Sequence, residues 1–407
     1  MNTFNTYSDL TRHMERLGLF HMNLTLDRMA RFHREHGRFS MPIVHVVGTN
    51  GKGSTSRFFE AIARAHGLRT GLFNSPHFVS PRERVRVNGR MLDREEWVEL
   101  ANAVMDTPGG SDLTYFEFQT CLAMLAFERH DVDVAVMEAG LGGRFDATNV
   151  FAPGLTLFAP VGMDHEKILG PTLEDIARDK SGALHAQSRA VTGPQDSAVM
   201  RVYRERADSL GIVLDSAESL AEVPPQSALG LRGSHQRENA RLALAGWREF
   251  VRMAGRESRS EAEAEGLRRA FVPGRMQFID FGGRTLILDG AHNAHALTAI
   301  KRALDAEGLV PDALVFACLA DKDFDPMLPL LQSLTPGPVL VPGLDNERAG
   351  DARALAERIG PKAVPVSDIA AALGSIGPEL KTVLVCGSLY LLAEFYTLHP
   401  EFLTPQP

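Results

Sequence analysis

At 407 residues, with 44% hydrophobic and 23% charged side chains, the chain has an ordinary globular composition and a length that predicts two domains. Its formal net charge of −8 argues against a protein that wraps nucleic acid, but leaves room for a local basic pocket that takes a small anion. Cys121, Cys318 and Cys386 stand singly in apolar runs, the start Met1–Leu10 is polar, and no run is long enough for a bilayer. The expectation is a cytoplasmic enzyme with buried thiols, small-molecule substrates, and neither a membrane nor a nucleic-acid partner.

In chain order, residues up to about Gly37 read as a helical lead-in, with Leu17, Leu19, Phe20, Leu24, Leu26 and Met29 as core contacts. Ile43–Val47 is an apolar, β-branched run and predicts a buried strand. It breaks at Gly48-Thr49-Asn50-Gly51-Lys52-Gly53 and resumes as a helix from Ser54 and Thr55, with Phe58, Phe59, Ile62 and Ala65 at helical spacing and Gly67 as the stop. Glycines, a lysine and hydroxyls on a turn from strand to helix aim backbone N–H groups and the positive helix end at one place, where a polyphosphate can sit. The spacing is not that of a strict Walker A: Val46 holds the first glycine's place, and Gly53 separates Lys52 from Ser54.

Arg69–His77 predicts a short strand ending in polar residues, and Pro81–Gly89 a basic alternating segment closed by an Asn-Gly turn. Residues 93–106 predict a helix, and Leu113–Phe127 a loop leading into a strongly apolar one. Asp131–Glu138 is a buried strand finishing on an acid, followed by the glycine-rich loop Ala139–Asn149. Leu155–His165 predicts a strand finishing on Asp-His, and Thr172 the N-cap of a helix carrying Glu174 and Asp175 in its first turn and Lys180 two turns in. Ser181–Gly230 gives weaker signals, with 217–227 as a surface loop. A helix begins near Gly233, and the charged run Arg256–Glu265 reads as a solvated face or loop.

The strand–helix rhythm restarts in Thr285–Asn293, Ala313–Asp323 and Thr382–Tyr390. The fold class expected is α/β: a P-loop-type doubly wound N-terminal domain, residues 1–272, and a smaller Rossmann-like α/β C-terminal domain, residues 273–407. In such sheets ligands bind beyond the carboxyl ends of the strands. Three of those ends are expected to carry the glycine–lysine loop, Glu138 and His165.

Gly48–Ser54, Ser75-Pro-His77, Glu138–Asn149, Gly162-Met-Asp-His165, Pro273-Gly-Arg275, Asp289-Gly-Ala-His-Asn293 and Ala320-Asp-Lys-Asp323 occur in this order over nearly the whole chain. Together they resemble the bifunctional dihydrofolate synthase/folylpolyglutamate synthase family of Mur-type, ATP-dependent amide ligases. The resemblance implies that ATP phosphorylates a carboxylate and that the amine of L-glutamate attacks the acyl phosphate, with dihydropteroate and (tetrahydro)folate as acceptors. A family member with one of the two activities, or another Mur-type amide ligase, is the alternative; a nucleotide-binding regulatory module would have no use for Ser75, Glu138, His165 and Lys180 together.

The resemblance also implies roles. Gly48, Thr49, Asn50, Gly51, Lys52, Gly53, Ser54 and Thr55 would hold ATP, with Gln236 and Asn239 beside adenine, Arg275 at a phosphate and Asp289 at the ribose. Magnesium, two ions by this resemblance, would be held by Ser54, Ser75, Glu138 and His165, although by residue type alone His165 is as readily a hydrogen-bonding histidine. Lys180 matches a lysine that is carbamylated in the family, and is otherwise a surface lysine. Thr114, Phe116 and Asp146 match a dihydropteroate pocket, Phe116 being also a plain core residue by type. Arg82 would meet a substrate carboxylate, and His292 and Ser388 would lie near glutamate and the γ-phosphate. A site drawn from both domains would be completed by closure, and a monomer is implied.

Overall fold

The computed structural model describes residues 3–18, 25–37, 39–222, 225–320 and 322–405. Leu19, Phe20 and Leu24 of the expected lead-in core, Pro224 of the expected surface loop, and Asp321 of the Ala-Asp-Lys-Asp stretch lie outside the described residues. The chain forms two compact units: Met1–Leu229 with His235–Ala270, and Gly230–Ser234 with Phe271–Pro407. The main division lies between Ala270 and Phe271, and the short segment 230–234 belongs to the second unit.

The first unit is built on eight strands: β1 (Ile43–Val47), β2 (Thr70–Phe73), β3 (Val85–Val87), β4 (Arg90–Met91), β5 (Val134–Glu138), β6 (Leu155–Phe158), β7 (Arg189–Thr192) and β8 (Leu214–Ser216). Their order is β4-β3-β2-β5-β1-β6-β7-β8. The six from β2 to β8 in that order run parallel, and β3–β4 is an antiparallel edge hairpin turning at Asn88 and Gly89, both at positive φ (51° and 75°). The central strand β1 is buried along its whole length, which is why it reads as one apolar run with His45 as its single polar member. Val46 pairs with Glu138 on one side and with Leu157 on the other, so the carboxyl ends of β5, β1 and β6 are level.

The lead-in is two helices, Tyr7–Leu17 and Asp27–His36, rather than one continuous element. Leu10, Met14, Met29 and Phe32 join the buried cluster formed with the helices Arg94–Asp106 and Tyr115–Arg129. Two further expectations need correction, and a third in part. β6 stops at Phe158, because Pro160 and Gly162 follow, so Asp164 and His165 lie on a loop beyond the strand. Residues 217–227 are not all loop, since Ala217–Leu220 is a short helix. The charged run near 260 is exposed at most of its positions, but one face of it is buried. It enters the helix Ser260–Arg269, which packs on the helix Lys52–Ala65 so closely that a Cβ at Gly266 would lie 2.4 Å from the Ile62 Cα. Its Glu263 is buried and takes two hydrogen bonds from Arg248, at 3.0 and 2.8 Å.

The second unit has six strands: β9 (Gln277–Asp280), β10 (Thr285–Leu288), β11 (Ala313–Phe316), β12 (Val339–Pro342), β13 (Ala363–Val366) and β14 (Thr382–Cys386). The order is β13-β12-β11-β14-β10-β9, parallel except for β9. Its core is Ile287, Leu314, Phe316, Val339, Val341 and Leu384, flanked by helices such as Ala294–Ala306.

Candidate active site

β1 leads straight into the glycine–lysine loop. Thr49 N and Asn50 N both donate to Pro160 O (3.0 and 3.1 Å), and Thr49 Oγ1 donates to Gly162 O (3.1 Å), so the loop after β6 cradles the loop after β1. Gly51 is left-handed, at φ 84°, and a Cβ there would lie 2.2 Å from Asn239 Oδ1. Only glycine fits a turn with that backbone and that neighbour. Asn239 is itself held by Gln236, its Nδ2 donating to Gln236 Oε1 at 3.0 Å, and both are buried. The structure thus brings the two expected adenine-side residues against the phosphate loop. Lys52 opens the following helix, and its Nζ donates to Gly48 O (3.1 Å) and Thr49 O (3.3 Å). Ser54 and Thr55 are buried in the first turn, and Thr55 Oγ1 has no hydrogen-bond partner.

Glu138, at the end of β5, sits beside this loop. A Cβ on Gly53 would lie 3.4 Å from its Oε2. Asn74 Nδ2 (2.9 Å) and Ser75 N (3.1 Å) donate to the same carboxylate oxygen. Burial raises the Glu138 pKa, and the Lys52 charge and those two donors hold it back. The Glu138 carboxylate and the Asn74 amide, whose Oδ1 is buried with no hydrogen-bond partner among the described residues, form an oxygen-donor pair beside the loop of the kind that suits a hard cation such as Mg²⁺. His165 is not brought into that pair. It stands at φ 53° ahead of the helix Glu166–Leu169, half exposed, with Nε2 3.7 Å from Asp164 Oδ2. Among the described residues no group of three or more His, Cys, Asp or Glu side chains is placed to hold a metal.

Lys180 is no surface lysine. It is 3% exposed, and its Nζ donates to Gly48 O at 3.0 Å, the carbonyl that Lys52 also reaches. Burial first, and then the Lys52 charge, lower its pKa to about 8, against the opposing pull of Asp179, Asp146 and Asp164. The residue before it holds the glycine-rich loop: Gly143 N donates to Asp179 Oδ1 (2.9 Å) and Arg144 N to Asp179 O (3.0 Å). Asp146 is buried within that loop. Its Oδ2 accepts from Leu141 N (2.9 Å), and its Oδ1 from Thr148 N (3.0 Å) and Thr148 Oγ1 (2.5 Å). Phe116 lies against the same loop, since a Cβ at Gly140 would meet its ring at 2.6 Å. Thr114 caps the helix carrying Phe116, in a capping box with Glu117.

The arginines of the Ser-Pro-His segment divide differently from expectation. Arg82 donates through Nε (2.7 Å) and Nη2 to Leu92 O and so braces the chain. Arg84 is the buried one. Its Nε donates to His77 Nδ1 (2.8 Å), its guanidinium lies 5.4 Å from the Tyr115 ring centre, and no carboxylate forms an ion pair with it among the described residues. Burial, and then the Arg84 charge, hold His77 neutral with a pKa of about 3. Sequence reading missed Arg84, Asn74 and Asp179. Each adjoins or lies close to a motif residue, but only burial and hydrogen bonding distinguish them.

In the second unit, the carboxyl ends of β10 and β14 are joined by Gly387 N donating to Ala291 O at 2.8 Å. Asp289 accepts from Met276 N (2.8 Å) and Ala291 N (2.9 Å), which ties the Pro-Gly-Arg turn to the strand end. Arg275 Nη1 lies where a Gly290 Cβ would be 2.8 Å away. His292 Nδ1 is 2.9 Å from Gly290 O and donates to that carbonyl. Ser388 caps the helix Leu389–Leu398, its Oγ accepting from Tyr390 N.

The first unit thus carries a strand–loop–helix anion cradle with a lysine and an acid on the neighbouring strand end, and the second is a separate α/β unit. Residues 274–389 match the family model described as Mur ligase, glutamate ligase domain. The chain is 33% identical over 364 residues to the dihydrofolate synthase/folylpolyglutamate synthase of Escherichia coli, covering 86% of this chain and 84% of that protein. It is 34% identical over 333 residues to the mitochondrial folylpolyglutamate synthase of Bos taurus, covering 71% of this chain but only 57% of that longer relative. E. coli FolC in complex with DHPP and ADP superposes with a TM-score of 0.83 at 27% identity, covering 98% of each chain. The Yersinia pestis bifunctional synthase complexed with AMPPNP and a Mn ion does so with a TM-score of 0.83 at 28% identity, covering 98% of this chain and 99% of the other. The chain belongs to the dihydrofolate synthase/folylpolyglutamate synthase family.

Proposed function

We propose that this protein ligates L-glutamate to dihydropteroate and to (tetrahydro)folate or folylpolyglutamate, with ATP giving ADP and phosphate. The observation that carries the reading is the meeting of Lys52, Lys180 and Glu138 around one loop at the carboxyl end of β1. A carboxylate oxygen of the acceptor attacks the γ-phosphorus and ADP leaves. The glutamate amine then attacks the acyl carbon, loses a proton, and phosphate departs. Phosphoryl transfer of this kind needs positioning and charge neutralisation more than covalent help. Lys52, freed from the carbonyls it now caps, and the loop N–H groups supply both. Ser54, Ser75 and Glu138 would hold Mg²⁺, with His165 as a further ligand in a two-ion site. The bound ion supplies charge neutralisation at the phosphate oxygens.

Residues 1–272 are the ATP-binding domain in this reading and 273–407 the glutamate-ligase domain. Arg275 and Asp289 serve the nucleotide, and His292 and Ser388 serve glutamate and the γ-phosphate. Lys180 is the site of carbamylation. With a pKa of about 8, roughly a tenth of its amine is neutral at pH 7 and can add to CO₂ with loss of one proton. Asp146, Thr114 and Phe116 hold the pterin. Arg84, buried and in no ion pair among the described residues, takes the substrate carboxylate that Arg82 was expected to meet. A monomeric state and the cytoplasm belong to the same proposal; among the described residues no helix is long and apolar enough to cross a membrane.

The test is ADP release with L-glutamate, first with dihydropteroate and then with tetrahydrofolate. Turnover that requires acceptor and glutamate together is expected with both. Activity with tetrahydrofolate alone leaves the monofunctional reading suggested by the bovine relative's name. ATP turnover indifferent to either substrate removes the ligase reading.

A further inference from the structure

His45 is the one polar side chain within β1, fully buried between Met137 of β5 and Thr156 of β6. A histidine there, three residues before the phosphate loop, is not explained by nucleotide binding. Its Nε2 lies 2.7 Å from Thr148 Oγ1, and Thr148, also fully buried, sits in the glycine-rich loop. The same hydroxyl is 2.5 Å from Asp146 Oδ1.

The proton positions follow from counting. A threonine hydroxyl has one proton. Burial raises the Asp146 pKa, but its hydrogen bonds from the Thr148 hydroxyl, Leu141 N and Thr148 N hold it back and favour the carboxylate, which can only accept. The Thr148 proton therefore points at Asp146, and the hydroxyl oxygen must accept from His45. His45 is thus the Nε2–H tautomer, and its Nδ1, which has no partner in the structure, carries the lone pair. Burial, and then the nearby His185, hold the His45 pKa down to about 3, in keeping with a neutral ring. A directed chain runs from β1 to the acceptor loop: His45 Nε2–H to Thr148 Oγ1, then Thr148 O–H to Asp146 Oδ1. Asp146 therefore spends most of its acceptor capacity on the loop itself.

We propose that His45 and Thr148 are positioning residues that fix the Asp146 carboxylate, and with it the acceptor pocket, to the central strand that carries the phosphate loop. The proposal rests on the assignment of Asp146 to acceptor binding. Valine in place of Thr148 keeps the shape but removes both hydroxyl bonds, so Asp146 is held by the Leu141 and Thr148 backbone N–H groups alone. Serine restores the bonds.

The experiment measures dihydropteroate and ATP affinity by calorimetry for the wild type, Thr148→Val, Thr148→Ser, His45→Leu and His45→Gln. Thr148→Val and His45→Leu are expected to weaken dihydropteroate binding about tenfold or more, with ATP affinity within about twofold. Thr148→Ser is expected to bind as the wild type does, and His45→Gln, which keeps a donor, to fall between. Wild-type protein that binds ATP but no pteroate acceptor removes the parent reading. Wild type that binds both, with Thr148→Val and His45→Leu unchanged, overturns this inference alone. Should either variant fail to fold, imidazole ¹⁵N spectra of the wild type decide, with the His45 signal assigned by its loss in His45→Gln. The expected His45 ring is neutral and protonated at Nε2 at pH 6; a proton on Nδ1, or a charged ring at that pH, overturns it.

Discussion

Lys180 offers a test whose size follows from the structure. Its amine is 3% exposed, and its pKa drops from 10.5 to about 8. Folding therefore disfavours the protonated form. Below about pH 8 the lysine is protonated in both folded and unfolded states, and the full penalty applies. It is relieved as pH rises through the folded value, and is gone above the unfolded one. At about 1.4 kcal/mol per pH unit, the gap costs about 3 kcal/mol at pH 7, and about 2 kcal/mol of this is relieved by pH 9.5. Lys180→Met removes the charge and keeps much of the volume. It forfeits one hydrogen bond to Gly48 O, worth about 1 kcal/mol, but Lys52 Nζ still donates to that oxygen. The variant is expected to be inactive in ligation yet more stable than the wild type at pH 7, with the advantage shrinking by about 2 kcal/mol as pH rises to 9.5. Urea unfolding of both proteins, side by side in CO₂-free buffer, measures the difference while titrations common to both cancel. A stability difference that stays flat from pH 7 to 9.5 would refute a depressed Lys180 pKa, and with it the ready neutral amine.

Three further outcomes are expected. Lys52→Ala should fold normally and lose nearly all ATP-dependent ligation, because the lost charge lies at the phosphates; near-normal steady-state turnover would contradict this. Glu138→Gln should raise the Mg²⁺ requirement and slow turnover about a hundredfold, read from rate against Mg²⁺ concentration; an unchanged Mg²⁺ curve and rate would make the residue structural. Asp146→Ala should lower kcat/KM for dihydropteroate by roughly 1–3 kcal/mol, more than for tetrahydrofolate, with a lower Tm because Leu141 N and Thr148 lose their acceptor. Equal losses with the two acceptors would point to one shared pterin site.

The parts readable in the sequence are those that a local pattern determines. Ile43–Val47 is apolar but for His45 because β1 has neighbours on both sides, and Gly51 is a glycine because an αL turn meets Asn239. Thr172 announces its helix as an N-cap. What escaped depends on distant partners. Arg82 and Arg84 alternate in one short segment, and nothing local says that the first is spent on Leu92 O while the second is buried without a carboxylate. The charged helix near 260 looks solvated all round until Gly266 brings one face of it onto Ile62. His165 reads as a strand end only if Pro160 is overlooked. Lys180 looks like any amphipathic-helix lysine, since its burial is decided by Gly48, far away in sequence.

The last turn of the helix Leu173–Ser181 connects these pieces physically. Consecutive helical residues point about 100° apart, so Asp179 and Lys180 can serve two different loops. Lys180 holds Gly48 O of the phosphate loop, while Asp179 holds Gly143 N and Arg144 N of the glycine-rich loop. There is no slack in that second attachment. A Cβ at Gly142 would lie 2.3 Å from Asp179 Oδ1, and one at Gly143 would lie 2.6 Å from Lys180 O. The glycines of the loop are therefore required by the helix beneath as much as by any ligand above. In the proposed reading, the spacing between a phosphate on the first loop and the pterin end of the acceptor on the second is set by one helical turn, and positioning of this kind is what phosphoryl transfer depends on. The bonds from His45 and Thr148 add a second tie, from β1 itself, so that the acceptor loop is held to the nucleotide strand from two sides.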